Sequence, residues 1–185
     1  MDKFRNKYRI PSARLQPWDY RWAGAYFITI CTANRIHYLG EIENRKMVLS
    51  PIGVLADVFW HEIKNHAQNV ELGAFVVMPN HVHGILILTG NDNDNDNDNV
   101  ETLHATSLRH KNEQMAKISP KSGSVSTIIR SYKSAVTKHA HRLGFEFAWQ
   151  TRFYDHIIRN DASFQTINNY IINNPVNWQE DKLYI

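Results

Sequence analysis

The sequence predicts an α+β fold with a ferredoxin-like βαββαβ core, in which an antiparallel sheet carries helices on one face. The main observation is the order of its periodic segments, which runs strand, hairpin, helix, strand, strand, helix, strand, helix. Removing an extra N-terminal hairpin and an extra C-terminal helix leaves the βαββαβ order. The second observation is the length of 185 residues, which suits one domain with a substantial hydrophobic core.

The first half of the chain supplies a strand, a hairpin and a helix. Residues 25–32 are rich in β-branched and aromatic side chains and predict a strand, and residues 36–49 predict a hairpin that turns at residues 43–45. Ser50 is a suitable N-cap and Pro51 a suitable first helical residue. The apolar residues that follow at helical spacing are Val54, Leu55, Val58, Phe59 and Ile63.

The second half predicts two strands, a helix, a strand and a final helix. Residues 70–78 and 81–88 read as antiparallel partners, and residues 147–158 read as the last strand. The final helix is expected to begin at Asp161 and to end near Asn174, before a proline. A longer helix begins at Ser124, with an apolar stripe formed by Val125, Ile128, Ile129, Tyr132, Val136 and His139.

Two polar segments set the expected domain limits. Residues 1–24 form a basic arm that could lie along phosphates. Residues 25–178 form the domain, and residues 179–185 form a tail. Residues 90–120 are expected to be a flexible insertion, because the run NDNDNDNDN at 91–99 has no apolar side chain to bury and lacks the glycine and glutamate of an EF-hand loop. The cations of the arm are Lys3, Arg5, Lys7, Arg9, Arg14 and Arg21.

Composition excludes several classes of protein. Cys31 is the only cysteine, so the chain has neither an intramolecular disulfide nor a cysteine-based zinc site. No apolar run approaches the length needed to cross a bilayer, and charges stand where a signal peptide would need an apolar stretch. We therefore expect a cytoplasmic protein that has no membrane partner.

The segment VVMPNHVHGILIL, residues 76–88, places two histidines in a strand that otherwise reads as buried. Alternate residues of a strand share a face, so His81 and His83 point the same way and can bind one metal ion together. Buried or surface histidines explain most isolated pairs of this kind. A histidine triad would need a third histidine at Ile85, and an H-x-T phosphodiesterase motif would need threonine in place of His83.

Four ordered blocks carry a resemblance to a known family. They are MPNHVHG, SVSTIIRSYKSAVTK, WQTRFYDHIIRN and YIINNPVNW, and the opening RLQPWDYRWAGAYFITICT is similar as well. Together they resemble the REP-associated tyrosine transposases, which belong to the single-tyrosine HUH endonucleases. The resemblance runs from about residue 14 to residue 178 and omits the Asn-Asp tract.

The resemblance implies a function and a site. His81 and His83 would hold a divalent metal, Mg²⁺ or Mn²⁺, and Asn174 would complete the metal site. Tyr170, which shares a helical face with Asn174 because the two are four residues apart, would be the nucleophile. The implied enzyme is a single-stranded DNA endonuclease and strand transferase that forms a 5′-phosphotyrosine intermediate at hairpin-flanked sites. Its partner would be single-stranded or hairpin DNA, and the resemblance leaves a monomer and a homodimer both open.

Basic and aromatic residues outside these motifs are candidates for DNA contacts. Trp149, Phe153 and Tyr154 could stack on unpaired bases, although aromatic residues in or beside a strand more often belong to the core. The candidates for contacts to the phosphate backbone are Arg130, Lys133, Lys138, Arg152 and Arg159.

Two other classes of function stay open at this point. One is a domesticated DNA-hairpin-binding protein that has lost catalysis. The other is an RNA-binding ferredoxin-like module, which would need a glycine-aromatic pattern on its central strands that the stretch FITICT lacks. No base that would activate Tyr170 can be named from the sequence.

Overall fold

The computed structural model describes residues 19–67, 69–89 and 123–184, and only the backbone of residues 3–4 and 7–8. Most of the basic arm and the Asn-Asp tract at 91–99 therefore lie outside the described residues. The short strands β1 (Lys3–Phe4) and β2 (Lys7–Tyr8) pair with each other in antiparallel fashion.

The centre of the fold is a four-stranded antiparallel sheet. It consists of β3 (Gly24–Cys31), β6 (Val70–Met78), β7 (His81–Leu88) and β8 (Tyr154–Ile158). The strand order is β6-β7-β3-β8, and each neighbouring pair is antiparallel. This is the strand order of a ferredoxin-like βαββαβ core, so the predicted fold class is confirmed.

A small hairpin stands apart from this sheet. Its strands are β4 (Gly40–Glu43) and β5 (Lys46–Leu49), which pair in antiparallel register. The two turn residues, Asn44 and Arg45, have positive φ angles of 49° and 62°. A two-residue turn with both φ angles positive matches the twist of the flanking strands, which explains the tight connection.

Four α-helices and two short 3₁₀ turns complete the described residues. Helix α1 begins as expected, because Ser50 Oγ accepts a hydrogen bond from the Gly53 N–H and Pro51 is the first helical residue. The helices are α1 (Pro51–His61), α2 (Ile63–His66), α3 (Val125–Arg142) and α4 (Asp161–Asn173), and the 3₁₀ turns are Ala33–Arg35 and Trp178–Glu180.

Different helices pack on the two faces of the sheet. Helices α1 and α3 cover one face, where Trp60 and Ile129 pack with the β3 side chains Tyr26, Ile28 and Ile30. Helix α4 covers the opposite face in a smaller cluster formed by Ile85, Ile158 and Ile171, packed against Phe27, Val76, Phe164 and Ile167. Because α4 leaves the other face to α1 and α3, it is an addition to the core, as the sequence predicts.

Gly84 allows the close packing of α1 on the sheet. A Cβ atom at this position would lie 2.2 Å from Cζ2 of the fully buried Trp60 ring. Any larger residue would therefore force the indole out of its place in the core. The glycine follows the two histidines directly, so it fixes the strand that carries them against α1.

The predicted start of the last strand differs from the structure. The last strand covers only Tyr154–Ile158, whereas the sequence predicts 147–158. The carbonyls of Gln150 and Thr151 accept hydrogen bonds from Lys133 Nζ, and Trp149 forms only an isolated bridge to Thr32. A long side chain from α3 therefore satisfies backbone groups that a strand neighbour would otherwise bind.

The last helix begins at Asp161 and ends near Asn174, as predicted. Its N-cap is Asn160, whose Oδ1 accepts a hydrogen bond from the Ser163 N–H at 2.8 Å, and Asp161 is the first helical residue. At the other end Asn174 keeps helical angles, φ −57° and ψ −42°, although Pro175 follows it. The side chain of Asn174 therefore stays on the helical face that Tyr170 occupies.

Candidate functional site

The two histidines lie on the sheet face that α4 covers. In the β3–β7 register, His81 is opposite Cys31 and His83 is opposite Thr29, so all four side chains lie on one face. Both imidazoles are buried, with 0% and 2% of their surface exposed. Two buried histidines next to each other need polar partners, because a polar group without one is costly in the interior.

His81 has a partner on one ring nitrogen only. Its Nδ1 lies 2.8 Å from Oδ1 of the buried Asn80, and since an amide oxygen can only accept, Nδ1 is the donor. The other nitrogen, Nε2, is buried without a hydrogen-bond partner among the described residues. Burial, and secondarily the proximity of His83, hold the pKa of His81 far below its usual range, so the ring is neutral and Nε2 presents a lone pair.

His83 is held in a similar way from the neighbouring strand. Its Nδ1 lies 2.9 Å from the Thr29 hydroxyl, and its Nε2 lies 3.2 Å from the Tyr170 hydroxyl. In the tautomer that carries its proton on Nδ1 and donates it to Thr29, Nε2 would be left as a ligand atom. Burial lowers the pKa of His83 to about 4, so this ring is also neutral near pH 7.

Tyr170 projects from α4 toward the histidines. Its ring is 44% exposed and lies 5.2 Å, between centroids, from the ring of His83. Its hydroxyl donates a hydrogen bond of 2.8 Å to Oδ2 of Asp181. Partial burial, then the hydrogen bond and the charge of Asp181, raise the pKa of Tyr170, so the phenol keeps its proton in this arrangement.

Asp181 joins the site from the C-terminal tail. It has a ligand oxygen within 4.8 Å of ligand nitrogens of both His81 and His83. Burial raises the pKa of Asp181, but hydrogen bonds from Asn174, from the Leu183 N–H and from Tyr170 outweigh it, so the net shift is downward. The group is therefore a carboxylate, and with two imidazoles it forms a donor set suited to a divalent cation.

Asn174 lies one helical turn after Tyr170 and is 2% exposed. Its Nδ2 donates to Oδ2 of Asp181 at 2.6 Å, while its Oδ1 is buried with no hydrogen-bond partner in the described part of the chain. The site thus contains two buried acceptors without donors, Oδ1 of Asn174 and Nε2 of His81. A bound cation would satisfy both, so the residues present fit a metal ion.

Further contacts hold the tail over the end of the sheet. Asn80 Nδ2 donates to the Leu183 carbonyl at 2.9 Å. The buried Trp178 ring lies 5.8 Å from the ring of His81, and Tyr184 lies edge-on to Trp178 at 5.2 Å. Asn80 thus binds both His81 and the tail, and this double contact fixes Asp181 relative to the histidines.

The structure brings together all four residues that the sequence singles out as catalytic or metal-binding: His81, His83, Tyr170 and Asn174. Sequence reasoning missed Asp181, as well as Thr29 and Asn80, which orient the two imidazoles. The signal available for Asp181 was weak: residues 162–185 contain only two carboxylates, Glu180 and Asp181. No spacing rule relates either of them to a histidine about 100 residues earlier.

The predicted DNA-contact residues lie in two places. Arg130, Lys133 and Lys138 are on α3, which packs on the sheet face opposite the histidines. The Lys133 ammonium binds two backbone carbonyls, and burial lowers its pKa. The other two, Arg152 and Arg159, are exposed and flank β8 at the edge of the sheet. Their role in DNA binding stays a prediction.

None of the helices in the described part of the chain combines the length and apolar character required to traverse a lipid bilayer.

Known proteins provide two comparisons. A protein of Haemophilus influenzae (strain ATCC 51907 / DSM 11121 / KW20 / Rd), described only as uncharacterized, is 36% identical over 175 residues, which is 94% of this chain and 92% of that protein. The solved structure of a REP-associated tyrosine transposase bound to a REP hairpin is similar with a TM-score of 0.58 and 22% identity, over 94% of this chain and 77% of that one. No protein-family model matches the chain. The solved structure confirms, at the level of the fold, the resemblance that the sequence motifs indicate.

Proposed function

Because the chain belongs to the same family as the Haemophilus influenzae protein and has the fold of a REP-associated tyrosine transposase, we propose that it is a DNA strand transferase. It would be metal-dependent and would cut single-stranded DNA at hairpin-flanked sites through a covalent 5′-phosphotyrosine intermediate. One observation carries the proposal: the Tyr170 hydroxyl lies 3.2 Å from Nε2 of His83, in contact with the group of residues that fits a metal ion.

The metal ion would be held by Nε2 of His81, Nε2 of His83 and oxygens of Asn174 and Asp181. When bound, Mg²⁺ or Mn²⁺ supplies positive charge that neutralises the phosphate oxygens as the phosphorus is attacked. The mixed nitrogen and oxygen donor set supports a divalent cation but does not select between these two.

The chain's own residues position the nucleophile. The Asp181 carboxylate accepts a hydrogen bond from the Tyr170 hydroxyl and so orients the phenol oxygen. Thr29 and Asn80 orient the two imidazole rings. In the proposed step, a bond forms between the Tyr170 oxygen and phosphorus, and the bond from phosphorus to the 3′ oxygen breaks. The phenol proton would leave through the Asp181 carboxylate that accepts its hydrogen bond, and the departing 3′ oxygen would take up one proton from solvent, so that the leaving strand ends in a 3′ hydroxyl. The new phosphotyrosine bond is itself a phosphodiester and conserves the free energy of the bond that was broken. Rejoining therefore needs no nucleotide cofactor.

Hairpin DNA is proposed as the substrate because the solved structure of similar fold is bound to a REP hairpin. The exposed arginines that flank β8, Arg152 and Arg159, would contact the phosphates of the adjacent single strand. Whether the chain acts as a monomer or as a homodimer is part of the same proposal and is tested by the mass of the active species in solution.

The test traps the covalent intermediate. The purified protein is incubated with a library of single-stranded oligonucleotides that carry hairpins, with Mn²⁺, with Mg²⁺ or with a chelator, and the protein-linked DNA is then sequenced. We expect an adduct on Tyr170 that requires the metal ion. Tyr170→Phe should form no adduct yet keep DNA binding, whereas Tyr20→Phe, near the opposite end of β3, should form the adduct normally.

Two results would contradict the proposal. One is an unchanged adduct in Tyr170→Phe. The other is DNA binding by the wild-type protein without any adduct, which would favour the non-catalytic hairpin-binding function instead.

A further inference from the structure

We infer that Tyr154, on the edge strand β8, is a stacking platform for an unpaired base next to the scissile phosphate. This inference rests on the proposed function, because it takes single-stranded DNA as the substrate. It adds a residue that contacts the substrate outside the group formed by the histidines, Tyr170, Asn174 and Asp181.

The position of Tyr154 follows from the register of three neighbouring strands. Tyr154 is opposite Thr29 in the β8–β3 pair, and Thr29 is opposite His83 in the β3–β7 pair. The three side chains therefore form one row on the same face of the sheet. Adjacent strands are about 4.8 Å apart, so Tyr154 and His83 are separated by roughly 10 Å across the sheet.

Ring contacts connect the same two positions. Phe27 lies edge-on to Tyr154 with a centroid distance of 6.4 Å and edge-on to Tyr170 with a centroid distance of 6.2 Å. It also lies 5.2 Å from the ring of His83. The Phe27 ring thus contacts both Tyr154 and Tyr170, and this shared contact links the orientation of Tyr154 to that of the nucleophile.

Exposure distinguishes Tyr154 from the other aromatic residues near β8. Its side chain is 55% exposed, whereas Phe153 and Trp149 are partly buried and pack against the core. The Trp149 ring also lies 4.8 Å from Phe147 and 6.1 Å from Tyr132. Of the three aromatic residues that the sequence offers for stacking, Tyr154 is the one that presents its ring to solvent.

The surroundings of Tyr154 suit a nucleic-acid strand. Within the described residues β3 is the one strand that pairs with β8, which is therefore an edge strand of this sheet. Exposed Arg152 and Arg159 stand just before and just after β8, which places positive charge at both of its ends. Exposed aromatic rings beside cations are the usual elements of single-strand binding surfaces. Such a platform would hold the base while its phosphate lies at Tyr170.

The test separates stacking from chemistry. All proteins carry Tyr170→Phe so that no cleavage occurs, and binding is measured by fluorescence anisotropy with a short oligothymidylate and with an abasic oligomer of equal length. We expect Tyr154→Ala to weaken oligothymidylate binding by roughly 5- to 150-fold, the usual effect of removing one stacking ring. Tyr154→Phe should bind like the parent protein, because stacking requires the ring and not the hydroxyl.

Two controls complete the design. The abasic oligomer should bind the parent and Tyr154→Ala equally, since it has no base to stack. Trp22→Ala removes another exposed aromatic ring, 52% exposed and near the opposite end of β3, and should leave binding unchanged. If Tyr154→Ala does not fold, abasic substitutions scanned along a bound oligonucleotide in the parent protein still report a stacked base.

The inference is overturned if Tyr154→Ala binds oligothymidylate as tightly as the parent, or if it loses the same affinity for the abasic oligomer. A loss in Tyr154→Phe equal to that in Tyr154→Ala would also overturn it. The two proposals fail separately: absence of a covalent adduct in the wild-type protein contradicts the strand transferase, while the binding comparison decides the role of Tyr154.

Discussion

The hydroxyl of Tyr170 donates a hydrogen bond of 2.8 Å to the carboxylate of Asp181, which lies eleven residues later in the chain. The same carboxylate oxygen accepts a second hydrogen bond from Asn174. The last helix and the tail that follows it are therefore connected at the point where the helix faces His83. This connection has measurable consequences for the tyrosine, for the metal site and for stability.

Asp181→Asn should lower the pKa of Tyr170. The variant removes a negative charge and a charge-assisted hydrogen bond that both favour the protonated phenol. The pKa should stay above the ordinary tyrosine value, since burial is the largest cause of the upward shift and is unchanged. Carbon NMR of ring-labelled tyrosine as a function of pH measures this directly, with Tyr170→Phe to assign the resonance. Glu180→Gln, which neutralises the neighbouring exposed carboxylate, should leave the pKa of Tyr170 unchanged; an equal effect of both variants would contradict the specific contact.

Thr29→Val should weaken metal binding without removing a ligand. The Thr29 hydroxyl lies 2.9 Å from Nδ1 of His83 and, by accepting a hydrogen bond from Nδ1, would favour the tautomer that leaves Nε2 for the metal. Loss of such a partner typically lowers metal affinity by about 10- to 100-fold. Calorimetric titration of Mn²⁺ into the metal-free protein measures the effect. Thr137→Val, on the helix that covers the opposite face, is the matched control and should bind Mn²⁺ like the wild type. Equal affinities for all three proteins would refute an orienting role for Thr29.

The metal-free protein should lose stability as the pH falls from about 7 toward 4. The pKa of His83 is about 4 in the folded chain, against 6.5 ordinarily, so between these values the unfolded chain binds a proton that the folded chain does not. The full difference corresponds to on the order of 3 kcal/mol, present above pH 6.5 and lost progressively toward pH 4.

Urea unfolding at a series of pH values in the presence of a chelator tests this. The difference in unfolding free energy between wild type and His83→Gln should shrink as the pH falls through this range. His66→Gln, an exposed histidine on α2, is the control and should keep the slope of the wild type. Parallel pH profiles for the wild type and His83→Gln would show that the buried imidazole does not carry the effect.

Lys133→Ala and Arg152→Ala should have different effects. Lys133 Nζ donates to the carbonyls of Gln150 and Thr151, so its removal should cost up to about 1 kcal/mol of unfolding free energy. Arg152 is exposed, and its removal should reduce the salt dependence of DNA binding by roughly 0.7 in the log–log slope if it contacts one phosphate of a single strand. Thermal unfolding and binding at several salt concentrations separate the two. A salt slope that falls equally in both variants would place Lys133 on the DNA as well.

Local rules accounted for the parts of the fold that depend on neighbours in sequence. Ser50 and Pro51 begin α1 where their capping chemistry predicts, and His81 and His83 share a face because the strand period is two. The start of β8 differs from the prediction because it depends on a contact between residues that are far apart in sequence. The carbonyls of Gln150 and Thr151 are bound by Lys133, 17 and 18 residues earlier in the chain, and aromatic content cannot reveal such a contact.

The amino-acid sequence by itself determined the order of the elements and the ferredoxin-like class, and its resemblance to a known family implied that two histidines act with one tyrosine. Periodicity and capping are short-range properties, and the motif blocks are read directly from the chain. Only the tertiary structure decided that Asp181 faces the histidines, that Thr29 and Asn80 orient them, and that Tyr154 is exposed in the same row as His83. Those relationships arise where separate strands, a helix and the tail meet, and the geometry of that meeting depends on packing across the whole sheet.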